Sequence, residues 1–254
     1  MHLLVYDGSF AGVLSATFDV FAYKFNAVRL VVAEQYTGAL FGQIHTVVTD
    51  ETKAKRVWAG LARRLSTHGL QELRFAYLSE QPEIADLLVQ YMQYAFSHTL
   101  SIEKDFGHPA VLHISQTAKK VHREKHRMEA FVRFQLTADQ LYYAMIEPDF
   151  NVLPVIACHF EKRYADQRWL IYDARRRYGI YYNLDVVEEV ALSFEANLQQ
   201  GKQMAQVYDE KELLYQQLWQ RYFASTNIEA RKNTKLHIRH MPIRYWKYLV
   251  EKRP

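Results

Sequence analysis

Residues with chemical potential crowd into a few places in this chain. The densest is His122-Arg123-Glu124-Lys125-His126-Arg127-Met128-Glu129-Ala130-Phe131-Val132-Arg133-Phe134-Gln135. From Lys119 to Arg133 there are six Lys or Arg, two Glu and two His, a concentration of positive charge that suits a polyanion. Three consecutive arginines, Arg175, Arg176 and Arg177, follow Asp173. The last stretch, Asn227 to Pro254, interleaves cations with aromatics, including His237, Arg239, His240, Arg244, Trp246 and Lys247. Cations meet phosphates and rings stack on bases, so this mixture fits a nucleic acid; it equally fits a short helix docked by Trp246 and Leu249 with wet lysines.

Metal and acid–base chemistry find less support. His122 and His126 stand four apart, the spacing at which two imidazoles on one helix face one ion. The zinc-protease pattern wants Glu directly after the first His, where Arg123 stands, and the nearby cations disfavour a divalent ion. His237 and His240 read the same way, so no metal site is expected. Cys158 and His159 are consecutive and point apart on a helix, which leaves Cys158 as a packed thiol rather than a nucleophile. Three carboxylates stay open as catalytic candidates: Glu129, Asp166 and Asp173. Asp173 among arginines suits a metal ligand or general base in a basic cleft, as a nuclease needs, or a salt-bridge partner that holds the arginines in place. No G-x-S-x-G, GxGxxG or P-loop occurs, and no cofactor is expected.

These residues need elements to hold them. Leu3 to Tyr6 reads as a strand, Asp7-Gly8-Ser9 as a turn and Phe10 to Phe21 as a helix; Gly8 could present amides to a phosphate, or Asp7 or Ser9 could simply cap the helix. Val28 to Ala33 and Ile44 to Val48 are β-branched runs, and 51–127 is mainly helical scaffold. From Met128 the period changes to two, which predicts a strand to Leu136, a turn, and a second strand from Leu141 to Glu147. A helix over Val152 to Tyr164 and strands Arg168 to Asp173 and Gly179 to Asn183 complete a strand-strand-helix-strand-strand core at about 128–183, with Arg168 opening the third strand. The expected class is α+β: a mainly antiparallel sheet, a helical N-terminal part and C-terminal helices, including Leu213 to Phe223. The acidic Leu184 to Glu212 is read as a helical connector. Two parts are anticipated, 1–118 and 119–254, or one integrated domain.

Composition limits the alternatives. The chain has 254 residues, 49% of them hydrophobic, with 9 Gly and 6 Pro, enough for a buried core without disorder. Residues 1–118 hold 9 basic and 11 acidic side chains, and 119–254 hold 23 and 17, so the positive balance belongs to the second part. A lone Cys158 excludes an intrachain disulfide. The start lacks a basic region followed by a long apolar run, and no window reaches the ~18 apolar residues of a membrane span, so a cytoplasmic location without membrane attachment is expected.

Four longer stretches carry a family resemblance: 122–134, Glu147-Pro148-Asp149-Phe150-Asn151-Val152-Leu153-Pro154, 164–173, and His237-Ile238-Arg239-His240-Met241-Pro242-Ile243-Arg244-Tyr245-Trp246, with Tyr6-Asp7-Gly8-Ser9-Phe10 at the start. Together they resemble bacterial proteins assigned to DNA metabolism or DNA repair. That resemblance implies association with a radical-SAM protein and, in some relatives, fusion to a uracil-DNA glycosylase-like domain. It supplies no catalytic residues. The combined expectation is a DNA-binding accessory protein using Arg123, Lys125, His126, Arg127, Arg133, Arg168, Arg175, Arg176, Arg177, His237, Arg239, His240, Arg244, Trp246 and Lys247. The alternatives are a metal-dependent nuclease or lyase and a docking partner of a radical-SAM protein.

Overall fold

The computed structural model describes residues 1–38, 43–138, 140–191, 218 and 238–252. The chain forms two compact units, Met1–His122 and Arg123–Pro254. In the first, strands β1 (His2–Tyr6), β2 (Val28–Val32) and β3 (Gln43–Thr46) make a parallel sheet in the order β2-β1-β3. Helix α1 (Phe10–Ala22) crosses from β1 to β2, as a parallel pair requires. Helices α2 (Glu51–Ala62), α3 (Thr67–Tyr77), α4 (Ile84–Ser97) and the first part of α5 (Pro109–Phe131) follow. Side-chain caps start the first three: Ser9 Oγ accepts from the Gly12 N–H at 2.9 Å, Asp50 from Thr52 N–H at 2.7 Å, and Ser66 from Gly69 N–H at 3.1 Å. The Asp7 carboxylate accepts from Ser9 N–H at 2.9 Å and Thr49 Oγ at 2.9 Å, so the turn at Gly8 is closed by its own acid. Leu4, Val13, Leu61, Leu73, Leu88 and Ile114 are among the side chains of this unit's core.

The second unit is built on a five-stranded sheet in the order β4-β5-β6-β7-β8. Its strands are β4 (Gln135–Leu136), β5 (Tyr142–Ile146), β6 (Trp169–Asp173), β7 (Tyr178–Tyr182) and β8 (Val187–Val190). Helix α6 (Leu153–Arg163) joins β5 to β6, and these two strands run parallel; the other three pairings are antiparallel. The sheet is therefore mixed and the first unit's sheet parallel, which corrects the expected mainly antiparallel arrangement. The physical reason lies in the connection: a strand–helix–strand unit carries the chain back to the starting edge, so its two strands pair in the same direction.

Two further expectations change. The strand anticipated from Met128 is helix as far as Phe131, because Val121, Glu124, Met128 and Val132 are buried at spacings of three and four and continue one helical face. Within the acidic connector, Val187–Val190 is a strand, not a helix. The helix expected over 213–223 lies outside the described residues apart from Leu218. No helix among the described residues is long and apolar enough to cross a membrane.

Packing in this unit centres on Trp169, fully buried on β6, with Phe134, Phe160 and Tyr182 ringed around it at centroid distances of 5.5–6.3 Å. Gly179 on β7 sits where a Cβ would lie 2.9 Å from the Ile171 carbonyl oxygen and 3.1 Å from the Leu170 side chain. A methyl group there has backbone to displace. Gly179→Ala is accordingly expected to lower stability by about 1–3 kcal/mol, read from urea denaturation midpoints.

Candidate functional site

The site is assembled around one acid. Glu124 lies on the inner face of α5 in the second unit and is 1% exposed. Its Oε1 accepts from the Asp149 N–H at 2.9 Å and from the Tyr245 hydroxyl; its Oε2 faces Arg127 at 3.4 Å and Arg244 at 3.5 Å. A carboxylate this deep is tolerable only with such company, since desolvating a lone charge costs several kcal/mol. Through these partners Glu124 ties together α5, the loop after β5 and the C-terminal segment, which forms 3-10 turns at Ile243–Tyr248 and Val250–Lys252.

Further ion pairs anchor the same segment. Arg244 meets Asp149 at 2.6 Å, Lys247 donates to Glu147, and the Tyr248 hydroxyl donates to the same carboxylate at 2.5 Å. Arg133 caps the end of α5 by donating to the Ala130 carbonyl at 2.7 Å and pairs with the buried Glu251 at 2.9 Å. Hydrogen bonds from Lys247 and Tyr248 hold the Glu147 carboxyl below the usual carboxylate range, and the bond to Glu147 raises Lys247 in turn. Burial, then the bond to Glu147, pushes Tyr248 up to about 12; burial and the bond to Glu124 raise Tyr245 as well.

Opposite stands the turn between β6 and β7. Asp173 is fully buried; its carboxylate accepts from the Arg175 and Arg176 N–H groups at 2.9 and 3.2 Å and pairs with the Arg176 guanidinium at 2.9 Å. Arg176 reaches on to the Pro148 and Asp149 carbonyls, both at 3.2 Å, and Arg175 to the Asp149 carbonyl at 3.2 Å. Arg177 adopts a φ of 59°, the left-handed geometry that the turn imposes. Between these parts opens a polar depression of about 210 Å³ lined by Glu147, Asp149, Arg175, Arg244 and Lys247.

The expected site residues divide clearly. Arg127, Arg175, Arg176, Arg244 and Lys247 come together around Glu124, Glu147 and Asp149. Trp246 donates its ring N–H to the Met241 carbonyl at 3.0 Å, and Lys252 lies over its ring at 4.9 Å. Lys125 and His126 instead serve Glu129, at 2.5 and 3.1 Å, with His159 at 3.8 Å. Arg123, Arg168, Arg239 and His240 are exposed, and His237 lies outside the described residues. The three carboxylates proposed for catalysis do not gather. Asp173 ends β6, Asp166 lies in the turn that precedes the strand's other end, and Glu129 lies on α5. Asp173 is occupied in closing its turn, and Cys158 is exposed rather than packed. Among the described residues no group of three or more His, Cys, Asp or Glu is placed to hold a metal ion.

Sequence reasoning did not single out Glu124, Glu147, Asp149, Tyr245 or Tyr248 as site residues. Glu147-Pro148-Asp149 and Tyr245 lie in stretches long enough to stand out, but nothing local marks a carboxylate that will be buried against partners over a hundred residues away.

Three outcomes follow. Glu124→Gln, which keeps the shape but places an amide against two guanidinium groups, is expected to destabilise the second unit by about 3 kcal/mol in urea; Tyr245→Phe should cost about 1–3 kcal/mol. Because the folded Glu147 has a depressed pKa, its contribution is complete above the ordinary value of 4.5 and fades as pH falls from there through the folded value. The difference in urea midpoint between the unaltered chain and Glu147→Gln should therefore hold steady at neutral pH and shrink only below about 4.5.

Comparison with known proteins adds the family. No functionally curated protein matches the chain. Among solved structures it is weakly similar to a pGpG-specific phosphodiesterase, PggH, of Vibrio cholerae, at 8% identity and a TM-score of 0.33, covering 71% of this chain and 80% of that one. The family model that matches residues 82–251 is DUF4130, a domain of unknown function, and the chain belongs to that family.

Proposed function

We propose that the protein is an accessory factor of DNA metabolism that grips DNA phosphates with the β6–β7 turn. One observation carries this reading. Most cations near the depression are matched by a carboxylate, as Arg176 is by Asp173, Arg244 by Asp149 and Lys247 by Glu147. Arg175 and Arg177, exposed at the tip of the turn, make no direct ion pair with a carboxylate among the described residues, and Arg175 acts on Glu147 only at longer range. A guanidinium held outside any direct ion pair suits a phosphate. Buried Asp173 keeps the turn rigid, so the two side chains project from a defined base.

The alternation of acid and base around the depression supports a second reading, a docking face for a radical-SAM protein. A patterned surface of both signs selects a complementary protein surface, whereas a polyanion favours cations alone. Co-purification after nuclease treatment, competed by added DNA, would assign the same face to both partners.

The test of the first reading is salt dependence. Binding to a labelled duplex is expected to weaken as salt rises, and Arg175→Ala/Arg177→Ala should flatten the log–log slope by about 1.8, at about 0.9 per phosphate contact removed. A slope identical to that of the unaltered chain would remove the reading.

A further inference from the structure

Cations without carboxylate partners also occur on the first unit, where the sequence suggested only scaffold. Helix α2 carries Lys53 and Arg56, Arg63 caps its C-terminal end and Arg64 follows. Lys53 is pinned to the buried Asp19 at 2.8 Å, and Arg64 donates to the His98 carbonyl at 2.5 Å. Arg56 and Arg63 have no carboxylate partner among the described residues, and both are exposed. Seven residues apart, they stand two turns along the same side of the helix, roughly 10 Å from one another.

Aromatic rings lie along the same flank. The Arg56 guanidinium sits 5.6 Å from the Phe18 ring centroid, and that of Arg64 sits 5.6 Å from Phe96. Midway between Arg56 and Arg63, Gly60 has no side chain, and the Phe96 ring occupies the space that a Cβ there would contest at 3.0 Å. Phe21 packs edge-on against Phe96 at 5.5 Å yet keeps 48% of its surface exposed. An exposed ring on the same unit as separated guanidinium groups that make no carboxylate ion pair is the combination that binds unpaired bases and the backbone joining them.

We propose that the outer stripe of α2, together with Phe21, is a contact surface for single-stranded nucleic acid. This surface belongs to the first unit and does not depend on the turn arginines of the second. A carboxylate-rich peptide would use the two arginines and leave Phe21 idle; a duplex would offer phosphates but keep its bases stacked.

Binding of the intact chain to labelled oligothymidylate and to a duplex of equal length tests the proposal. Arg56→Ala/Arg63→Ala is expected to reduce the salt slope for the single strand by about 1.4, at about 0.7 per phosphate. Phe21→Ala should weaken the single strand about tenfold with no change of slope. The arginine variant alters exposed positions and should melt with the unaltered chain, while Arg56→Lys/Arg63→Lys should retain most of the slope. Phe21→Leu keeps an apolar contact on Phe96 but offers no ring to a base, and should lose single-strand affinity as Phe21→Ala does. Duplex affinity, assigned to Arg175 and Arg177, should not move, so failure of either surface is read separately. Single-strand binding unchanged in either alanine variant overturns the proposal, as does binding of polyglutamate with the same dependence on Phe21.

Discussion

A single buried charge organises the second unit. The Glu124 carboxylate is removed from water on the inner face of α5, and its solvation is replaced by a backbone N–H, a tyrosine hydroxyl and two guanidinium groups. Asp149 comes from the loop after β5, the consecutive Arg244 and Tyr245 from the C-terminal segment, and Arg127 stands one turn along the same helix. Removing any of them leaves the charge short of a partner in a medium that solvates it poorly. The acid therefore acts as a registration point. It fixes where the loop after β5 and the C-terminal segment meet the helix, and with them the walls of the depression.

This arrangement separates two meanings of a basic sequence. Charge density along a chain measures what a segment can contribute to a long-range field, and that field survives pairing only in part. Lys125, Arg127, Arg133, Arg176, Arg244 and Lys247 all face carboxylates, so at close range each behaves as half of a dipole. Arg175 and Arg177 make no direct ion pair with a carboxylate among the described residues, which is the condition that the proposed phosphate contact requires. Within a Debye length of about 10 Å at moderate salt, a few such groups outweigh many that are matched.

The fold was legible where local signals sufficed. Ser9 ahead of an apolar repeat, Asp50 ahead of α2 and the β-branched run of β2 each announce their element, and the strand–helix–strand–strand order of β5, α6, β6 and β7 is legible in the same way. Strand direction was misjudged because the antiparallel signature of the β6–β7 hairpin was extended across α6. Met128, Ala130, Val132 and Phe134 alternate in hydrophobicity, but Met128 and Val132 also continue the buried stripe of Val121 and Glu124; counting Glu124 as polar hid that stripe. Arg127, Arg175 and Arg244 lie in stretches with shared basic and aromatic character, whereas no local pattern marks the acids that hold them. Pairing across more than a hundred residues has no sequence period, and only packing reveals it.

The two edges of the five-stranded sheet carry a consequence of another kind. At one side β4 contributes only Gln135 and Leu136, too short a ladder for a foreign strand to extend. At the other, β8 presents Glu188 and Glu189, both exposed, so an approaching copy would meet its own negative charge. Brevity on one flank and repulsion on the other discourage the sheet from recruiting further strands, and thus guard a Tyr-rich, β-branched core against aggregation.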